Sequence, residues 1–132
     1  PHAKIIPILL GKSCSTIVKE LTRIFHYRFS SEEENKLFLI SSNLCAYKER
    51  GKARNETELL LDIIMRGDGK KLMEEYRDKT ISPCAPAAIS AFLDFCSKDS
   101  SATLLLRSNS DTIKKNNKKI IEYASIIFER NS

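Results

Sequence analysis

A chain of 132 residues with 22 Lys or Arg and 17 Asp or Glu carries a formal net charge of +5, and 42% hydrophobic with 30% charged residues is the composition of one globular domain with a core. Wholesale disorder is excluded, and four Gly with four Pro are too few for a turn-dense sandwich or a Gly-rich cofactor cradle. No apolar run reaches the roughly 18 residues of a helical membrane span. The class that remains is all-α: a compact bundle or short helical-hairpin stack of about six to seven helices. A short extended N-terminal segment (1–12) precedes a single helical domain (13–132).

The opening run Ala3-Lys4-Ile5-Ile6-Pro7-Ile8-Leu9-Leu10 is apolar but short, and it lacks the small-residue cleavage site of a secretory signal. The absence of a starting Met reads as processing or as a piece of something longer. From Ser13, the residues Ile17, Val18, Leu21, Ile24 and Phe25 recur at helical steps and predict a helix to about Tyr27. Ser31-Glu32-Glu33-Glu34 has the capping-box form and predicts a second helix. Its buried side would be Leu37, Phe38, Ser41, Leu44, Cys45 and Tyr47, and Gly51 would close it inside a basic loop.

Asn55 with Glu58 repeats the capping device ahead of the strongly apolar Leu59-Leu60-Leu61-Asp62-Ile63-Ile64-Met65. Arg66-Gly67-Asp68-Gly69 is the sharpest break, and Asp68 can cap a short helix carrying Leu72, Met73 and Tyr76. Ser82-Pro83-Cys84-Ala85-Pro86 is a rigid lead into a helix with Ala87, Ala88, Ile89, Phe92, Leu93 and Cys96. Thr103 to Leu106 reads as a buried turn or short helix. Ser108 to Asp111 then caps a long final helix with Ile113, Ile120, Ile121, Ala124, Ile127 and Phe128 on its apolar face.

The cysteines Cys14, Cys45, Cys84 and Cys96 contain no C-x-x-C. Three of them, Cys14, Cys45 and Cys96, fall on or beside apolar stripes, where a reduced thiol behaves as a small hydrophobe. Neither His2 nor His26 stands at metal-ligand spacing from a Cys or from the other His. No metal and no cofactor is expected.

Nucleotide-binding, zinc-protease and nucleophile-elbow motifs are absent; Gly11-Lys12-Ser13 resembles the end of a phosphate-binding loop, but Ile6 stands where its first glycine is required. The expectation is therefore that the chain is not an enzyme. The positive signal is basic: Lys48, Arg50, Lys52 and Arg54 in one loop, and Lys114, Lys115, Lys118 and Lys119 on one face of the final helix. These features predict a non-catalytic helical interaction module that binds a partner, a protein first, through an exposed helix face or its basic surface. One alternative is a basic nucleic-acid-binding domain that uses both clusters against phosphates. A second is a secreted, disulfide-linked bundle of cytokine type, suggested by the four Cys and the Asn55-Glu56-Thr57 sequon. The cysteine pattern favours an intracellular setting.

Overall fold

In the computed structural model, residues 4–30, 36–96, 100–112 and 118–130 are described. They form four α-helices and two small antiparallel sheets: α1 (Ser15–Phe29), β1 (Lys48–Glu49), α2 (Arg50–Met65), α3 (Gly69–Arg77), α4 (Pro86–Cys96), β2 (Ser100–Asn109), β3 (Lys119–Ile120) and β4 (Glu122–Arg130). The all-α bundle of six to seven helices is thus overturned, and the chain is an α/β mix. No helix among the described residues is long and apolar enough to cross a membrane.

Helix α1 follows its predicted stripe, burying Val18, Leu21 and Phe25. It packs on α4 over Ala87 and Ala91, whose small side chains let the two helices approach closely. Around that contact Phe25, Phe29, Phe38 and Phe95 meet edge to face or tilted, with ring centroids 4.9–6.4 Å apart, the arrangement that suits the aromatic quadrupole. The predicted break after Met65 also forms: Gly67 takes a left-handed φ of +71°, and the Asp68 carboxylate accepts the Lys71 N–H at 2.9 Å. Helix α2 begins at Arg50, ahead of the Asn55 cap. Ala53 and Thr57, both buried, extend the Leu60, Leu61 and Ile64 face backwards by one turn, and burying that face outweighs the local cap.

The predicted second helix is not seen. Its capping box at 31–35 lies outside the described residues, and residues 36–44 run extended with inward and outward positions in strict alternation. Phe38, Ile40 and Leu44 face inward, onto the two main apolar clusters. A Lys-Leu-Phe-Leu-Ile run is apolar at both parities, the pattern of a strand covered on both faces, and such a run imitates a helix stripe when read at steps of three and four.

The predicted final helix is also replaced. β2 and β4 form a hairpin pairing Ser100 with Arg130 through to Asn109 with Glu122, with a bulge between Leu104 and Leu106. Along β4, Glu122, Ala124, Ile126 and Phe128 turn inward, and Tyr123, Ser125 and Ile127 outward. The period is two, and the Ile, Tyr and Phe content suits a pleated surface. The inward residues close the core of Leu60, Leu61, Ile63, Ile64, Leu72, Ile81, Ile89 and Leu93.

Candidate functional site: the Cys84 corner

The extended run ends at Ser42-Asn43-Leu44, where it crosses the segment leading into α4. A main-chain bond joins the two, the Cys84 N–H donating to the Asn43 carbonyl at 3.3 Å, and the neighbouring Leu44 N–H donates to the Glu122 carbonyl of β4 at 3.4 Å. Side chains complete the crossing. The Ser42 hydroxyl accepts the Ala85 N–H at 3.1 Å and donates to the Asn43 carbonyl at 2.9 Å. The Cys84 sulfur accepts the Asn43 N–H at 3.1 Å, and its thiol lies 3.5 Å from the Ser42 hydroxyl. Cys84 nevertheless stays exposed. One layer away, the Ser82 hydroxyl accepts the Ala46 N–H at 3.0 Å and donates to Glu56 at 2.7 Å, while the other Glu56 oxygen pairs with the Lys48 ammonium. Pro83 and Pro86, both buried, stiffen the strip that carries the sulfur.

The four thiols differ in setting, and all four are free. Cys45 is buried beside Ala53 and Ile120. Burial pushes the Cys96 thiol up from 9.0 to about 11, against the opposing pull of the Ser100 hydroxyl and of Arg130. Raising the pKa removes thiolate at neutral pH. Near pH 8, iodoacetamide should therefore alkylate Cys96 about 100-fold more slowly in the folded chain than in urea, the rate climbing about tenfold per pH unit until it levels near pH ~11. Equal rates in the two states, read by peptide mass spectrometry, would contradict this environment.

The basic residues are dispersed. Lys48 in β1 is half-buried against Glu56, and Arg50 at the start of α2 reaches Asp111. Lys52 and Arg54 are exposed on the first turns of α2, and Lys118 and Lys119 are exposed at and beside β3. Lys114 and Lys115 lie outside the described residues. The predicted lysine face presupposed a helix, and β3 and β4 occupy much of the chain that helix would have used. Arg107 on β2 stands between Glu122, at 3.2 Å, and Glu58, at 3.7 Å. The reading of the sequence did not single out Cys84, the one cysteine it left off an apolar stripe, which stands between Pro83 and Pro86.

An α/β chain in which an apolar extended run ends on a clamped surface thiol is a different class of protein from a helical bundle. The chain belongs to the Memo-like protein family, whose model matches residues 1–127. A curated relative, a MEMO1 family protein of Methanosarcina barkeri (strain Fusaro / DSM 804), is 27% identical over 128 residues, covering 96% of this chain and 48% of the relative. The chain thus spans about half the length of the curated relative it matches. Membership of this family overturns the helical interaction module, and with it the nucleic-acid-binding and cytokine-type alternatives.

Proposed function

We propose that this Memo-like chain presents the Cys84 sulfur as a fixed donor to a soft, sulfur-seeking ligand, and that by itself it is not an enzyme. The observation that carries the reading is the clamp: an exposed sulfur that accepts the Asn43 N–H at 3.1 Å and rests against the Ser42 hydroxyl at 3.5 Å. A loose surface thiol loses rotamer freedom on binding, whereas one already tethered to main chain loses less, which is the advantage of preorganisation.

Thiolate is the softest protein donor and selects soft ions such as Cu(I), Zn and their relatives. No group of three His, Cys, Asp or Glu that could hold a metal occurs among the described residues, so the corner offers one sulfur flanked by hydroxyls and not a closed four-ligand cage. The bonded neighbours of that sulfur are an amide and a hydroxyl, neither of which serves as a general base at neutral pH. This supports a binding role over turnover. Cadmium ion is a direct probe: its titration into the chain should raise an ultraviolet sulfur-to-metal charge-transfer band that saturates with one strong site. The band should survive Cys14→Ala, which removes the other exposed thiol, and disappear in Cys84→Ala. An unchanged titration in Cys84→Ala overturns the assignment.

A further inference from the structure

We propose that Glu56 of α2 is the positioning residue of the Cys84 corner: its carboxylate holds the two crossing segments in the register that sets the Asn43 N–H on the sulfur. The inference rests on the reading of Cys84 as a ligand-binding atom and adds what keeps that atom in place. The bonds of Glu56 go to Ser82 and Lys48 and not to the sulfur, so it acts through them.

At the front of the crossing the sulfur's own bond is slight, because Asn43 and Cys84 are both exposed and sulfur is a weak acceptor. A second tie lies behind it. The Ser82 hydroxyl accepts the Ala46 N–H at 3.0 Å, joining the same two segments a little further along each.

Glu56 governs that second tie. A serine hydroxyl rotates to suit its partners, and the Glu56 carboxylate at 2.7 Å takes its proton, which turns a lone pair toward the Ala46 N–H. A hydrogen bond to a charged acceptor is the stronger kind. The other Glu56 oxygen pairs with Lys48, which continues the segment that carries Asn43 and Ala46. One carboxylate thus holds both segments, from a helix seated in the core by Ala53, Thr57 and Leu60. Its side chain is only 13% exposed, so water is poorly placed to replace either partner. An ion pair with Lys48 alone would occupy one oxygen; the second is directed at the strip that carries Cys84.

Cadmium ion is the probe, added to the full chain in a Cys14→Ala background so that the charge-transfer band reports Cys84. Glu56→Gln leaves one acceptor oxygen for two donors, and Ser82→Ala removes the link itself. Each should weaken cadmium binding about tenfold, the lower end of what groups behind a metal-binding atom contribute. Each should also speed exchange of the Asn43 amide, followed by NMR, by about tenfold while α4 exchanges as before, although neither substitution removes an atom bonded to Asn43. Ser82→Thr, which keeps the hydroxyl, should hold both readings at their parental values. Asp62→Asn, which breaks an exposed ion pair on the same helix, should leave both unchanged as well. Parental affinity and parental Asn43 exchange in Glu56→Gln overturn the proposal, as does protection lost equally through α4, which would make Glu56 a general support of the fold. A parent chain with no band at Cys84 overturns the ligand reading instead, and the Asn43 exchange rates still decide whether Glu56 sets the clamp.

Discussion

Replacing Arg107 with Met should lower the free energy of unfolding by about 3 kcal/mol, the scale expected when one member of a buried ion pair is removed. Glu122 is 2% exposed, and its Oε2 atom takes the Arg107 Nε–H at 3.2 Å. Its other oxygen, Oε1, has no hydrogen-bond partner among the described residues. The guanidinium is therefore the principal compensation for a carboxylate removed from water, and Met fills its volume without its charge. The loss should appear as a lower urea midpoint at unchanged slope. Adding Glu122→Gln should recover a large part of it, because the double change removes the stranded charge along with its partner. A midpoint for Arg107→Met equal to that of the parent would show that the hairpin does not rely on this pair.

Gly69→Ala should destabilise by about 2 kcal/mol, the usual scale of overpacking, although replacing a helical glycine by alanine ordinarily helps. Gly69 opens α3 directly against α4. A Cβ there would lie 2.5 Å from an Asp94 carboxylate oxygen and 2.6 Å from the Ser90 carbonyl. The Asp94 side chain can swing away, and burial together with Asp68 already holds its carboxyl above the usual range. The Ser90 carbonyl belongs to the backbone of α4 and cannot. Separating the helices would also stretch the bond from the buried Ser90 hydroxyl to the Gly69 carbonyl, now 2.8 Å. Gly51 is the internal control: it lies in α2 with nothing within 4 Å of its added Cβ, so Gly51→Ala should stabilise by about 0.5–1 kcal/mol. Thermal melts that shift both variants in the same direction would contradict the close approach of α3 to α4.

These positions mark where sequence reasoning held and where it failed. Local signals sufficed for the Asp68 cap, the break at Arg66-Gly67-Asp68-Gly69 and the Pro86 helix start, because each is decided within one turn of chain. The stripe of α1 was legible for the same reason. Two elements were not. Residues 37–40 are apolar at both parities, so a helix stripe and a doubly covered strand fit them equally, and the decision rests on packing against Phe25 and Phe95 from distant parts of the chain. In β4 the inward position Glu122 is charged, which breaks the alternation that would have announced a strand; its burial makes sense only once the β2–β4 pairing sets Arg107, opposite Ala124, diagonally within reach of it. The Cys84 corner was illegible for a related reason. It joins residues 42–46 to residues 82–85, and no local pattern announces a crossing between segments so far apart in sequence. The lysine clusters, by contrast, were conspicuous in sequence, yet Lys48 is taken up by Glu56 and Arg50 by Asp111.

The central claim is that the Cys84 sulfur, clamped by Ser42 and Asn43, is the ligand-binding atom of this chain. Anomalous diffraction from crystals soaked in cadmium ion tests it most directly. The geometry predicts a peak at bonding distance from the Cys84 Sγ atom, with Ser42 and Asn43 undisplaced, and its loss in crystals of Cys84→Ala. Metal bound at Cys14 with none at Cys84 would contradict the account.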